Sequence, residues 1–343
     1  MERPLSKARS GAGRNAGELR LRSYAKVNLG LEVLGPRLDG YHELRTIFQT
    51  IGLHDDVLLR RRPQGLSVRC DHPAVPLDDS NLALRAARDL QRYARVEDGV
   101  EIVLTKRIPV AGGLGGGSSN AATVLMGLDR LWRLGLGTAG LHPLARRLGA
   151  DVPYFLVGGT ALGLARGDEV YPLHRQVRAH VVVVDPERPL STAAVFQRLD
   201  RGLTPREDTH RIFRFVSSHL AGEDGSFPIL ANDLEPPALE EAPDLAARLD
   251  RIRGILVREG ALMASLSGSG ASYFGLFDDP QRARRAQSRL EARGFKALRS
   301  RTLSLDQYRR LWAPPAFGRA RGSDQGRSGH HGDHRRQGHP RRR

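Results

Sequence analysis

Pro109-Val-Ala-Gly-Gly-Leu-Gly-Gly-Gly-Ser-Ser-Asn-Ala-Ala-Thr123 places five glycines within six positions, Gly112, Gly113, Gly115, Gly116 and Gly117. Such a cluster costs backbone entropy, and its use is to let N–H groups converge where side chains would block the approach. Ser118 and Ser119 follow, then a helical run from Ala121 to Leu134. A helix starting at about Ser118 adds its unpaired N–H groups and the positive end of its dipole. Glycine loop and helix N-terminus together make a phosphate site. The plainer alternative is a flexible turn with Ser118 as a simple N-cap. Two familiar phosphate loops do not fit. The Walker pattern needs Lys before its Ser/Thr, where Gly117 stands. The dinucleotide pattern, begun at Gly113 and Gly115, meets Ser118 at its last glycine, and no βαβ unit surrounds it.

Around this loop the chain is an ordinary α/β-type sequence. Its 343 residues suggest two domains rather than one. Hydrophobic residues make up 40%, enough for packed cores, and no run approaches a membrane span. The N-terminus lacks the apolar stretch of a secretory signal. A single cysteine, Cys70, leaves no internal disulfide and no Cys-rich zinc site, which suits a cytoplasmic protein. Half of the net charge of +16 lies in the two ends: residues 313–343 hold eight Arg against Asp324 and Asp333, and residues 1–18 add a net +2. A moderately basic body suits polyphosphate ligands. No basic stripe is interleaved with aromatics, so nucleic acid is not expected as the main partner.

Residues 1–18 read as a disordered extension. A strand through Val27, Leu29, Leu31 and Val33 puts Lys26, Asn28, Gly30 and Glu32 on its other face, either as a solvated face or as part of a site. Gly35–Gly40 is turn-rich, and Tyr41 and His42 open a second strand through Phe48. Short strands are expected at 57–61 and 66–70, a helix from Asn81 to about Arg95, and a strand at 100–104 leading into the glycine loop. A helix over 138–148 stops at Gly149. Asp151, before Val152-Pro153, is a turn or cap residue on the plain reading. Strands at 160–165 and 169–172 precede a domain boundary near residue 177. The second domain reads strand 180–184, helices 192–200, 209–220 and 237–258, strands 261–265 and 272–277, helix 280–293 and strand 296–302. Asn232-Asp-Leu-Glu235 opens the long helix, and Ser267-Gly-Ser-Gly-Ala271 is a second glycine loop. Past Trp312 the chain reads as a disordered basic tail.

Four segments, Ala25-Lys-Val-Asn-Leu29, Pro109–Ser119, Gly149-Ala-Asp-Val-Pro153 and Leu266-Ser-Gly-Ser-Gly-Ala271, together resemble the GHMP small-molecule kinases. Arg37-Leu-Asp-Gly-Tyr-His42 and Ser80-Asn-Leu82 are most similar to the branch of that family that phosphorylates a cytidine diphosphate-linked methylerythritol on its 2-hydroxyl, in the non-mevalonate route to isoprenoids. The resemblance covers residues 19–305 and implies an α+β two-domain GHMP kinase fold. Its N-terminal domain, 19–177, would be like ribosomal protein S5 domain 2, and its C-terminal domain, 178–312, ferredoxin-like, with the active site between them.

The resemblance also implies roles. ATP would lie on Pro109, Val110, Ala111, Gly112, Gly113, Leu114, Gly115, Gly116, Gly117, Ser118 and Ser119, with the helix after Asn81 beside the adenine. Mg²⁺ would bridge the phosphates, with Ser119 as a protein contact. Asp151 would be the general base and Lys26 its cationic neighbour. Asn28, Tyr41, His42, Thr192 and Phe196 would face the cytidyl substrate. Two other readings differ in class: a GHMP kinase acting on mevalonate-type or homoserine-type alcohols, and a nucleic-acid binder working through the tail. Monomer and homodimer both stay open.

Overall fold

The computed structural model describes residues 17–201, 210–221 and 230–312. The tail expected over 313–343 and the extension up to Ala16 lie outside them. Glu18, placed in that extension, instead opens the first strand.

Two long strands dominate the first half: β1 (Glu18–Pro36) and β2 (His42–Arg62), antiparallel along nearly their whole length. They are followed by β3 (Leu66–Cys70), α1 (Leu82–Ala94), β4 (Gly99–Thr105), α2 (Gly116–Leu131), α3 (Gly137–Leu148), the short α4 (Val152–Val157), β5 (Thr160–Leu164) and β6 (Glu169–Pro172). The sheet runs β3-β4-β2-β5-β6, with β1 on the other edge of β2. Its length lets β2 serve two partners on one edge: β4 pairs with residues 56–62 and β5 with 46–49. The sequence pattern splits this strand at 48 and 57, because the polar pair His54-Asp55 interrupts the alternation. Asp55 is nevertheless wholly buried, and backbone pairing carries the strand through. Helices α1, α2, α3 and α4 cover one face, joining Ala83, Leu90, Val124, Leu128 and Leu144 to Leu59, Val100 and Ile102 in one core.

The second half contains β7 (His180–Asp185), α5 (Thr192–Arg201), α6 (Arg211–Ala221), α7 (Glu235–Glu241), α8 (Pro243–Arg258), β8 (Met263–Leu266), β9 (Tyr273–Phe277), α9 (Pro280–Glu291), β10 (Lys296–Arg301) and α10 (Leu305–Trp312). The sheet order β10-β7-β9-β8, all antiparallel, is the ferredoxin-like arrangement. The single helix expected over 237–258 is two. Ala242, at φ −133° and ψ 76°, is not helical and precedes Pro243, whose ring disfavours helix at the residue before it. Helix α10, not anticipated, returns to the first half: Trp312 is buried with the Arg130 guanidinium 4.5 Å above its ring.

The two sheets share a core. Val27, Leu29, Ile47 and Ile51 pack with Val181, Val183, Phe274 and Leu276. The alternation in β1 therefore buries its apolar face against the second sheet. Its polar face is not solvated: Lys26, Asn28 and Glu32 are at most 3% exposed.

Candidate active site

The glycine loop is held in shape from both halves of the chain. β1 carries bulges between Tyr24 and Lys26 and between Asn28 and Gly30. Bulges re-aim side chains and free backbone groups. Here the Lys26 N–H leaves the ladder and donates to Leu114 O at 3.0 Å. From the other side, Ser272 N donates to Gly112 O at 3.1 Å and Ser267 Oγ to Gly113 O at 3.0 Å. Gly113 has φ +73°, and a Cβ there would lie 2.0 Å from Ser267 O. Gly115 has φ +70°, and its Cβ would sit 2.7 Å from Phe155 Cζ and 3.1 Å from Lys26 Cγ. Both positions need glycine for conformation and for room.

Helix α2 starts at Gly116, two residues before the expected Ser118. Its N-cap is Gly115, with no side-chain cap, so Ser118 is not the N-cap. The first helical bond runs from Ser119 N to Gly115 O. The N–H groups of Gly116, Gly117 and Ser118 thus come before the intrahelical ladder. They open on a cavity of about 510 Å³ lined by residues 109–118, Asn81, Leu82, Lys106 and Asn120. Asn81 caps α1, its Oδ1 accepting from Ala83 N at 2.9 Å and its Nδ2 donating to Pro76 O at 2.7 Å.

A second cavity, of about 660 Å³, lies across the loop. Lys26, Asn28, Tyr41, His42, Asp151, Thr192 and Phe196 all line it. These residues come from four separate parts of the chain. Lys26 Nζ is 3.4 Å from Asp151 Oδ2 and donates to Asn28 Oδ1 at 2.6 Å. Asn28 Nδ2 donates in turn to Thr46 Oγ1 at 2.8 Å, and Thr46 to Gly30 O at 2.7 Å. The ammonium is therefore fixed by a neutral relay on one side and a carboxylate on the other. The Lys26 side chain is 4% exposed and that of Asp151 34%, so the carboxylate is the more open member of the pair. Asp151 lies in a turn at the N-cap position of α4, as the plain reading expects, but its side chain makes no capping hydrogen bond. Helix α4 itself went unanticipated; it seats Phe155 against Gly115 and buries Tyr154.

Across this cavity, His42 stacks on Phe196, with ring centroids 4.6 Å apart. Tyr41 stays half exposed beneath the Arg166 guanidinium, 4.7 Å from its ring. Arg166 donates to Asp168 Oδ2 at 2.8 Å, and Arg146 to the same atom at 2.9 Å. Burial alone would push the Asp168 carboxyl up, but these guanidinium hydrogen bonds outweigh it and hold it below the ordinary range. Thr192 Oγ1 shares a 2.8 Å hydrogen bond with Ser269 Oγ and lines both cavities.

Two family models match the chain, the GHMP kinases N terminal domain over residues 81–159 and the GHMP kinases C terminal over 223–296. The 4-diphosphocytidyl-2-C-methyl-D-erythritol kinase of Chlorobium luteolum is 43% identical over 272 residues, 79% of this chain and 92% of that protein. The chain belongs to this kinase family. The Geobacter sulfurreducens kinase of the same name is 41% identical, across 83% of this chain and 99% of that protein. A crystal structure of 4-(cytidine 5'-diphospho)-2C-methyl-D-erythritol kinase superposes with a TM-score of 0.68 at 35% identity, covering 83% of this chain and 99% of that one. Homoserine kinase from Cytophaga hutchinsonii shares the fold, at TM-score 0.65 and 18% identity.

One expected contact of the kinase site is not brought to either cavity. Ser119 is fully buried, and its hydroxyl accepts from Ser23 Oγ at 2.7 Å. Ser118, its neighbour, lines both cavities. The structure also adds residues that sequence reasoning missed. Lys106 lines the cavity beside the glycine loop, its ammonium bonded to Asp55 and donating to Asn120 Oδ1 at 3.2 Å. Asp55 also accepts from Arg107 N, Ile108 N and Asn120 Nδ2, at 2.8, 2.9 and 2.9 Å, anchoring the entry to the loop. A buried acid in the middle of a strand pattern was the one signal for it. Among the described residues no group of three or more His, Cys, Asp or Glu could hold a metal, and no helix is long and apolar enough to cross a membrane.

Proposed function

We propose that this kinase transfers the γ-phosphoryl group of ATP to the 2-hydroxyl of 4-diphosphocytidyl-2-C-methyl-D-erythritol, giving the 2-phosphate and ADP. This is the ATP-dependent step of the non-mevalonate route to isoprenoid precursors, carried out in the cytoplasm. The observation that carries it is the Lys26–Asp151 pair in a cavity that shares Gly113, Gly115, Ser118 and Thr192 with the cavity beside it. One cavity is walled by the glycine loop and the other by His42, Phe196 and Tyr41.

ATP lies with its phosphates on residues 109–118 and its adenine toward the start of α1. The Asp151 carboxylate takes the proton of the substrate 2-hydroxyl. The oxygen attacks the γ-phosphorus as the bond to the β-phosphate oxygen breaks, and ADP leaves with that electron pair. Lys26 favours the ionised form of Asp151 and stabilises charge on the moving phosphoryl group. A positioned base is worth ~10²–10⁴-fold in rate. The transition state is loose, so loop and ammonium act by placement and charge rather than by covalent chemistry.

Mg²⁺ fits a site that lacks an all-protein cage, because this ion is commonly held by phosphates and water with one or two protein oxygens. Ser118, which lines both cavities, would be the hydroxyl that joins it, and the ion would neutralise phosphate charge. The pocket of His42, Phe196, Tyr41 and Arg166 receives the cytidine diphosphate. Two domains, 19–177 and 178–312, meet at the cleft. The test is ADP release from ATP, Mg²⁺ and the cytidyl substrate, with the product phosphate located by phosphorus NMR. Folded protein that releases no ADP above background would sink the reading.

A further inference from the structure

His42 is held on two sides by one helix. Phe196 and Asp200 are four residues apart on α5, so they lie on one face of it. Phe196 stacks on the imidazole, with an interplanar angle of 25°, and Asp200 Oδ1 lies 2.7 Å from His42 Nε2. His42 itself opens β2 in the other half of the chain, 158 residues away. Its side chain is only 10% exposed, whereas that of Asp200 is 45% exposed. Among the described residues Nδ1 meets no hydrogen-bond partner, although the ring lines the acceptor cavity.

A carboxylate can only accept, so a neutral imidazole beside it carries its proton on the facing nitrogen. The other nitrogen then carries a lone pair. We propose that Asp200 is a positioning residue that fixes His42 as the Nε2–H tautomer, so that Nδ1 serves as a hydrogen-bond acceptor for an amino group on the ligand base. The exocyclic amine of cytosine is such a donor, and the uracil carbonyl at the same position is not. The face-to-face contact with Phe196 sets the ring plane, and Asp200 sets its rotation and tautomer. Base selectivity thus depends on a residue of α5 that needs no contact with the base. The selectivity half of this inference rests on the proposed cytidyl substrate; the tautomer half does not.

The experiment has two arms on the full-length protein. The first is ligand-free: ¹⁵N NMR of the imidazoles, with His42 assigned by its loss in His42→Asn. Wild type should show the Nε2–H tautomer at a pH where the ring is neutral, and Asp200→Ala should show a mixture. The second arm is kinetic. Asp200→Ala should loosen the imidazole and raise KM for the cytidyl substrate about fivefold to tenfold, the scale of one neutral hydrogen bond to the base. KM for ATP should stay within about twofold, and the preference over the uridyl analogue should shrink by a similar factor. Asp200→Asn, which keeps an acceptor oxygen, should recover most of both readouts. An Nδ1–H tautomer in wild type, or a tautomer unchanged in Asp200→Ala, overturns the proposal. So does an unchanged KM together with unchanged base preference. Wild type that turns over no cytidyl substrate would refute the substrate assignment and leave the NMR result to decide on Asp200.

Discussion

The two cavities flanking the glycine loop are built by different means. The phosphate side is made largely of backbone from one continuous stretch, residues 109–118, with the first turn of α1 beside it. The acceptor side is made of side chains from β1, β2, α5, the turn before α4 and the loops at Arg166 and Gly268. A backbone-built site depends on which residues are absent, chiefly Cβ atoms. A side-chain site depends on which residues are brought together. The difference is what a mutation should expose.

The largest effect belongs to the acceptor side. Asp151→Asn removes the proposed proton acceptor and keeps its shape. We expect kcat to fall ~10²–10⁴-fold while ATP binding, read by fluorescence titration, changes little. Near-normal kcat would remove Asp151 from the role of base. The matching change on the phosphate side is Gly113→Ala. At φ +73° and with Ser267 O where a Cβ would sit, the loop must shift away from Ser267 and Gly270. Left-handed backbone at a non-glycine costs ~1–2 kcal/mol before any clash. KM for ATP should rise by about tenfold or more, with a lower Tm. Unaltered ATP kinetics would show that the close approach of the two glycine loops does not shape the site.

A smaller effect is expected at Asp168. Its lowered pKa means that its contribution is fully present above the ordinary Asp value of ~3.9 and fades as pH falls through the folded value. Asp168→Asn should therefore melt a few degrees below wild type at pH 7, with the gap closing in acid. A gap that stays constant with pH would show that Arg146 and Arg166 do not hold the carboxyl in its charged form. Because Arg166 lies over Tyr41, the same change should raise KM for the acceptor about twofold to threefold and spare that for ATP.

The contrast between the sides also explains what could be read from sequence. The phosphate loop was legible because its meaning lies in consecutive residues. Gly112–Gly117 points to a close approach of backbone, with a flexible turn as the plainer alternative. Most strand and helix positions followed from periodicity, and the sheet order of the second half from element order. Lys26, Asn28 and Asp151 were named by resemblance to a family; spacing alone left each with an ordinary alternative. Burial of the polar face of β1 removed that alternative for Lys26 and Asn28. Asp200 carried no signal at all, since an acid on a polar helix face looks solvated until β2 brings His42 to it. Ser119 looked like its neighbour, and only the helix geometry turned its hydroxyl inward toward Ser23. The break at Ala242 was written in Pro243. The unbroken β2 was obscured because the polar residue that interrupts its pattern, Asp55, is buried among hydrogen-bond donors rather than exposed.

The central claim is that this arrangement of side chains around Asp151 selects a cytidyl alcohol. The direct measurement is coupled ADP release with the cytidyl substrate, mevalonate and homoserine in parallel, reported as kcat/KM. The cytidyl substrate should exceed either simple alcohol by about 10⁴-fold or more, since a site built for polar groups rejects a ligand that lacks them by ~10⁴–10⁵-fold. Equal or greater turnover of mevalonate or homoserine would contradict the account.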